Sequence, residues 1–259
     1  MRSPVSELRI EHLTSPDIAD AIANGMRTAV LPLGATEQHG AHLPLSVDSD
    51  HADRLGVLVA ERLGDALVAP TIRIGCSSHH LGFAGTLSLR AETLEAVCLD
   101  CCTSLAGHGF RRVLIFSAHI GNYPLLAGIE PKLAARLPAG VEVIAFADSA
   151  AVLAAWREAA HRVAGLAGHV GGHADIAETS IMLAVRPDAV RSERAAAGFP
   201  GPMTVQLLAR VFTNGVAAVA PNGVLGNPDG MSPELGFECL NAVADLLVEH
   251  ATTRYRPLT

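Results

Sequence analysis

Short apolar runs bounded by turn residues alternate along the chain with longer amphipathic stretches. The clearest run, residues 112–116, reads Arg-Val-Leu-Ile-Phe and predicts a buried strand. Strands that alternate with helices of about ten to fifteen residues indicate βαβ units and a mainly parallel sheet with helices on both faces. We therefore expect an α/β fold. Because no internal repeat or linker interrupts the 259 residues, we expect a single domain over residues 1–259.

The alternation also gives approximate bounds for the elements. Strands are expected at residues 28–33, 66–69, 112–116 and 141–146, with a strand-like run at 216–219. Helices are expected at about residues 50–63, 91–105, 125–137, 150–163, 175–183 and 234–250. In parallel sheets ligands gather at the carboxyl ends of the strands, where several loops converge. A polar motif directly after a strand is therefore a candidate for an active site.

Composition limits the partners of the chain. A formal net charge of −7, with Lys and Arg scattered, argues against binding to nucleic acid. The first 25 residues mix charged with apolar positions, and the apolar runs elsewhere are short, so neither a signal peptide nor a membrane span is expected. The five cysteines, an odd number, indicate reduced thiols. We expect a cytoplasmic protein with no nucleic-acid or membrane partner.

Three of the cysteines, Cys98, Cys101 and Cys102, form a C-x-x-C-C run that could suggest a zinc site. A structural zinc site normally needs a second such pair, and the sequence has none. The run also lies within a helical pattern of leucines. We therefore expect small apolar helix residues here.

The first polar motif covers residues 36–48 and reads T-E-Q-H-G-A-H-L-P-L-S-V-D, directly after the first strand. Glu37 and His39 are two residues apart, so in an extended loop their side chains can point the same way. Asp48 lies at the start of the next helix, where the amide dipoles favour a carboxylate. These oxygen and nitrogen donors suit divalent Zn, Mn or Fe. Alternatively, Glu37 is a plain helix-terminal charge and His39 a surface residue.

A second motif places His119 directly after the strand at residues 112–116, with Gly121 and Asn122 turning the chain into the next helix. His119 is either a ligand in the active site or a cap of that helix.

A third motif begins Gly171-Gly172-His173, and its two glycines bring His173 to the start of a helix. Asp175 and Glu178 follow in the first turn. They either match the helix dipole or, if the helix points at the site, Glu178 is a further ligand or base.

A fourth motif, residues 75–89, is rich in Gly, Ser and His and follows the second strand. It either wraps a substrate, with Ser77 and His80 as the contacting residues, or is an ordinary surface loop.

Together these motifs resemble the creatininase (creatinine amidohydrolase) family. The similarity rests on T-E-Q-H-G-A-H-L-P-L-x-x-D, the H-x-G-N turn, G-x-S-x-x-H-x-x-F-x-G-T and G-H-A-x-x-x-E-T-S, and extends from about Val30 to Pro187. The tail, residues 215–228, also resembles the branch that contains the mycofactocin-precursor peptidase.

The resemblance implies a creatininase-type α/β fold, assembly as a homo-oligomer (often a hexamer) and two divalent metals bridged by an aspartate. It assigns Glu37, Asp48 and His119 to one metal, and His39 with the bridging Asp48 to the other. Gly121 stands where creatininase has a glutamate that completes the second metal. The resemblance therefore makes Glu178 the remaining carboxylate for that metal and puts creatinine in doubt as the substrate.

The activity implied is hydrolysis of a non-peptide C–N amide bond, linear or cyclic, by a metal-activated hydroxide. His173 would donate a proton to the leaving nitrogen, and Ser77 and His80 would hold the substrate. The tail favours an alternative, a metal-dependent peptidase acting on a modified precursor peptide. A second alternative, an inactive metal-binding scaffold, is disfavoured by the intact ligand set.

Aromatic residues make up only 4% of the chain, and its one tryptophan, Trp156, falls in a predicted helix. Creatininase has a tryptophan just before the His173 motif, where this chain has Gly168-His169-Val170-Gly171. A small flat substrate such as creatinine is expected to need aromatic walls. The sequence therefore predicts that creatinine is not preferred, unless Phe83 and Tyr123 supply those walls.

Overall fold

The strands expected at residues 28–33, 66–69, 112–116 and 141–146 all form, and they pair in parallel in one sheet. A computed structural model describes residues 7–201 and 204–255, and the remaining residues of the predicted domain lie outside this description. The strands are β1 (Thr28–Leu33), β2 (Ala66–Val68), β3 (Arg112–Ser117), β4 (Glu142–Ala145), β5 (Val170–His173) and β6 (Leu225–Gly226). The helices are α1 (Ser15–Ala23), α2 (Val47–Leu63), α3 (Ala91–His108), α4 (Tyr123–Leu126), α5 (Ile129–Ala134), α6 (Ser149–Ala164), α7 (Ile176–Val185), α8 (Val205–Asn214) and α9 (Pro233–Arg254).

The parallel sheet has the strand order β2-β1-β3-β4 and is covered by helices on both faces. Successive side chains of a strand point to opposite faces, so a strand buried on both sides must be apolar throughout. In β1, Val30 packs with α2, α6, α7 and α9, whereas Ala29 and Leu31 pack with α1, α3, α4 and α5. In β3, Leu114 likewise packs on the same face as Val30, and Ile115 packs on the opposite face. The expected α/β fold class is confirmed.

Cys98 and Cys102 are fully buried in the second of these two cores, and Cys101 packs against it. Burial raises the pKa of the Cys98 and Cys102 thiols to about 12, so they remain neutral apolar groups. This placement agrees with their interpretation as small apolar helix residues.

The structure differs from the sequence prediction in several elements. The run at residues 216–219 instead forms a 3-10 turn, Val216–Ala218, that follows Gly215. The helix expected at residues 125–137 is divided into α4 and α5 at Gly128. The sequence prediction also missed α1, α8 and the short antiparallel pair formed by β5 and β6.

Within residues 7–201 and 204–255, no helix combines the length and the apolar character needed to cross a bilayer.

Candidate metal centre

The polar motifs converge at the carboxyl end of the parallel sheet, as their positions after strands predict. Glu37 and His39 lie in the loop after β1, and Asp48 lies in the first turn of α2. His119 follows β3 directly. The chain then returns through β5 and α7, which supply His173 and Glu178. All six side chains are buried.

Asp48 lies between two histidines and presents one carboxylate oxygen to each. Its Oδ1 is 3.2 Å from Nε2 of His39, and its Oδ2 is 3.3 Å from Nδ1 of His119. Three groups of donors lie close enough together to hold an ion: Glu37, Asp48 and His119; His39, Asp48 and Glu178; and Glu37, His39 and His173. Asp48 belongs to the first two groups, so this geometry can place two cations on either side of one carboxylate.

Several of these carboxylate oxygens have no hydrogen-bond partner among the described residues. Both oxygens of Glu37 and Oδ2 of Asp48 are buried in this way. A buried charge that is not compensated is strongly unfavourable. The nearest groups are imidazole nitrogens, such as Nδ1 of His119 at 3.2 Å from Oε1 of Glu37. A divalent cation would compensate these oxygens directly, so the residues present fit a metal.

The outer nitrogens of two histidines are fixed by backbone carbonyls. Nδ1 of His39 donates to the Glu37 carbonyl at 3.1 Å, and Nε2 of His119 donates to the Cys76 carbonyl at 3.2 Å. A nitrogen that donates to a carbonyl carries a proton, so Nε2 of His39 and Nδ1 of His119 are the nitrogens directed at the carboxylates. Each can ligate a metal once the metal displaces its proton, an arrangement typical of histidines that ligate metals.

The two acids of the third motif have separate positions. The Asp175 carboxylate caps α7 and accepts hydrogen bonds from the backbone N–H groups of Gly171, Gly172, Ala177 and Glu178. The Glu178 side chain instead turns inward, and its Oε2 lies 3.6 Å from Nε2 of His39. Oε2 also accepts the N–H of Ala174, which has a positive φ of 53°. The dipole-matching role therefore fits Asp175, and Glu178 belongs to the centre.

His173 and His80 line the same centre and are both tied to Gln38. Nε2 of His173 donates to the Gln38 carbonyl at 2.8 Å, and Nδ1 of His173 lies 3.8 Å from Oε1 of Glu37. Nδ1 of His80 accepts the side-chain amide of Gln38 at 3.0 Å, and Nε2 lies 3.2 Å from Oε1 of Glu37. Gln38, which the sequence analysis did not single out, thus orients two of the histidines.

Ser77 lies behind His119 and away from the cavity. Its side chain is fully buried, and its Oγ is 3.3 Å from Nε2 of His119. This position favours an orienting role for Ser77 over the predicted contact with substrate.

The charges of these groups, together with burial, shift the pKa values of their neighbours. Burial lowers the pKa of His39, but the carboxylates of Asp48 and Glu178 outweigh it and raise the pKa to about 9. Burial raises the pKa of the Glu178 carboxyl to about 8. The cationic histidines His39 and His119 hold the pKa of Asp48 well below its usual value, even though burial opposes the shift. Without a bound cation, the imidazoles of His39 and His119 are therefore positively charged.

A cavity of about 40 Å³ opens over these residues. Its other walls are His79 and residues of the α8 region, including Leu208, Val211 and Phe212. α8 was not predicted from the sequence, although its apolar residues recur at helical spacing. Of the two adjacent histidines, His80 and not His79 was predicted to contact the substrate. Neither Phe83 nor Tyr123 lines the cavity, and the Tyr123 hydroxyl donates to the Ser117 carbonyl.

Trp156 lies away from the centre, in the core between α6 and the sheet.

Known proteins resemble this chain over most of its length. A family model described as creatinine amidohydrolase matches residues 11–251. The mycofactocin precursor peptide peptidase of Mycobacterium ulcerans (strain Agy99) is 36% identical over 207 residues, which cover 77% of this chain and 74% of that protein. The creatinine amidohydrolase of Pseudomonas putida is 30% identical over 259 residues, covering 93% of this chain and 96% of that protein. A crystal structure of creatinine amidohydrolase (creatininase) has a TM-score of 0.79 and 26% identity, covering 98% of this chain and 100% of that one.

The matched region contains every residue of the candidate centre, from Glu37 to Glu178. The resemblance inferred from the sequence motifs, including that to the mycofactocin-precursor peptidase, is confirmed by these matches. The chain belongs to the creatininase family and is an amidohydrolase of that family.

Proposed function

We propose that the chain hydrolyses an amide-type C–N bond with two divalent cations held on either side of Asp48. The observation that carries this proposal is the position of the Asp48 carboxylate, whose two oxygens face His39 and His119 separately. Glu37, Asp48 and His119 would hold one cation, and His39, Asp48 and Glu178 the other. The mixed oxygen and nitrogen donors suit zinc, manganese or iron. When bound, such cations supply an activated water at neutral pH and polarise the substrate carbonyl.

The protein's own groups would orient and shield the reaction. The side chains of Leu208 and Val211 cover the cavity and would exclude bulk water. Glu178 lies where its carboxylate completes the second ligand group and can accept a proton from the attacking water. His173 was predicted to donate the proton to the leaving nitrogen. In the structure its Nε2–H donates to the Gln38 carbonyl, and its Nδ1 faces the carboxylates of Glu37 and Glu178. We therefore propose that His173 holds these carboxylates in position and does not donate the proton.

A linear or peptide-like amide fits the site better than creatinine. Among the residues that line the cavity, Phe212 is the one Phe, Tyr or Trp residue, so two aromatic walls for a flat ring are not available. A groove of about 540 Å³ continues from the cavity past His79, Gly121 and Phe212. A substrate that extends beyond its reacting amide can lie in that groove.

A metal-dependent peptidase acting on a modified precursor peptide is the second candidate. It is favoured by this groove and by the mycofactocin precursor peptide peptidase among the relatives. A non-peptide amide as substrate remains the first candidate.

The proposed function is tested by metal analysis and a substrate panel. Purified protein should contain about two divalent cations per chain, and a chelator should abolish activity that added Mn²⁺ or Zn²⁺ restores. Steady-state kinetics on creatinine, linear amides and peptides should rank creatinine below at least one other substrate. A creatinine kcat/KM of roughly 10⁴ M⁻¹s⁻¹ or more, above every other compound, would refute the substrate proposal. Full metal occupancy without turnover of any compound would favour the scaffold alternative.

Homo-oligomeric assembly, a hexamer by family resemblance, and a cytoplasmic location are also part of the proposal. Exposed apolar side chains such as Val205 and Phe212 on α8 support the first, because apolar patches are common at protein interfaces. Size-exclusion chromatography with light scattering tests it, and a monomer at micromolar concentration would contradict it.

A further inference from the structure

The four histidines that surround the carboxylates have no ring nitrogen left for a substrate. His39 and His119 each donate one nitrogen to a backbone carbonyl and turn the other toward Asp48. His80 and His173 are each bonded to Gln38 through one nitrogen and face Glu37 with the other. Every imidazole of this set is therefore committed to the protein or to the proposed cations.

His79 differs from all of them. Neither of its ring nitrogens is hydrogen-bonded to a protein group anywhere in the described ranges, and Nδ1 is fully buried. The side chain is 8% exposed and lines both the cavity over the centre and the adjoining groove. Because Nδ1 is enclosed by protein atoms, Nε2 is the nitrogen that a molecule in the cavity can reach. An imidazole nitrogen that lines a cavity and has no protein partner is satisfied by hydrogen bonding to a ligand there.

The ring of His79 is also held in place. It lies parallel to the His119 ring, with a centroid distance of 5.6 Å and an interplanar angle of 9°. Phe212 also contacts it, at a centroid distance of 4.7 Å and an interplanar angle of 55°. A Cβ added to Gly121 would clash with Nε2 of His119 and would lie 2.7 Å from both Cε1 of His79 and the Cys76 carbonyl oxygen, so Gly121 leaves the space that the two rings occupy. A fixed ring loses little conformational entropy when it binds.

The one imidazole nitrogen within reach can donate or accept a hydrogen bond, according to the tautomer of the ring. An amide group offers a partner for either case, a carbonyl oxygen that accepts and an N–H that donates. The chemistry of His79 thus matches the functional group on which an amidohydrolase acts.

We propose that Nε2 of His79 hydrogen-bonds the amide group of the substrate at the junction of the cavity and the groove. The proposal rests on the proposed function and adds a residue that contacts the substrate, with the rest of the substrate lying in the groove beside Phe212.

The test compares His79→Phe, which keeps a ring but loses both nitrogens, with His79→Gln, which keeps an amide N–H. His108→Phe on the exposed end of α3 is the matched control. Each protein is loaded with Zn²⁺, and its metal content, its kcat/KM on the best amide of the panel and its affinity for acetohydroxamate are measured. Acetohydroxamate carries an acyl N–H group and chelates divalent metals, so it reports binding without turnover.

His79→Phe should keep its metal, lose roughly 100-fold in kcat/KM and bind acetohydroxamate roughly 3- to 10-fold more weakly. His79→Gln should recover most of both losses, and the control should match the wild type. Unchanged kinetics and affinity in His79→Phe would overturn the proposal. Loss of metal in His79→Phe would also overturn it, because His79 would then act through His119. If the wild type binds neither metal nor acetohydroxamate, the proposed function itself fails and this proposal fails with it.

Discussion

Replacing Gly236 by alanine should disturb both the stability of the fold and the candidate centre. Gly236 lies in α9 where that helix packs closely against α7. A Cβ at this position would lie 2.0 Å from the backbone oxygen of Ser180 and 2.9 Å from the backbone nitrogen of Ile181. Real Cβ contacts are essentially never shorter than 3.0 Å, so the two helices must separate by about 1 Å. Neither contact involves a flexible side chain that could move away.

The expected loss is about 1–3 kcal/mol in the free energy of unfolding, the usual range for overpacking. Because α7 also carries Glu178, the shift should move this carboxylate relative to Nε2 of His39, now 3.6 Å away. One of the two proposed cations should then bind more weakly. Urea unfolding of chelator-treated protein measures the packing effect without the contribution of the metal, and elemental analysis of the loaded protein measures the effect on the centre.

Gly107→Ala is the matched control for this experiment. Gly107 also lies in a helix, α3, and a Cβ there would meet no heavy atom within 4 Å. This substitution should stabilise the protein by up to about 1 kcal/mol through the unfolded state. If Gly236→Ala were as stable as the wild type, α7 and α9 would not be in the tight contact described, and the reasoning would be refuted.

Three further predictions concern the centre directly. Asp48→Ala should remove both cations with the fold retained, as measured by elemental analysis and circular dichroism; full metal occupancy would contradict the bridging role of Asp48. Glu178→Gln, which keeps the volume but not the charge, should weaken one cation and lower kcat by roughly 100-fold or more; two tightly bound ions with normal turnover would restrict Glu178 to a structural role. The pKa of His39 is raised to about 9, so at any lower pH a cation must displace the proton of the His39 imidazole before it can bind there. As the pH decreases below 9, Zn²⁺ affinity should therefore fall about tenfold per pH unit for each displaced proton. Equal dissociation constants at pH 6.5 and 8.5, measured by chelator competition, would disprove this.

The sequence was sufficient to predict the parallel sheet because its strands are determined locally. In β1 and β3 the residues between the two ends of the strand are apolar, as expected for a strand covered on both faces. In contrast, β5 reads Val-Gly-Gly-His and has little intrinsic strand preference. Its strand conformation comes from pairing with β6, more than fifty residues later in the chain. Such tertiary pairing leaves no periodic pattern in the sequence.

The same distinction applies to the centre. The positions of Glu37, Asp48 and His119 after strands were enough to predict that they meet at one edge of the sheet. The sequence motif led to the prediction that His80, and not the adjacent His79, contacts the substrate, because the sequence does not show which ring nitrogens are free. Gln38 and Glu37, which lie in the loop after β1, engage both ring nitrogens of His80 and leave those of His79 without a protein partner among the described residues.

The pairing of β5 with β6 has a consequence for the chain during its synthesis. Glu37, His39 and Asp48 leave the ribosome early, whereas β6 ends at Gly226, roughly 180 residues after Asp48. At about 5–20 residues per second, this interval lasts roughly 10 to 35 s. Until it ends, the emerging polypeptide carries an unfinished cluster of acids and imidazoles that nothing yet encloses. A nascent chain stalled in this interval should therefore bind cations loosely and be cleaved readily by proteases near residues 34–46.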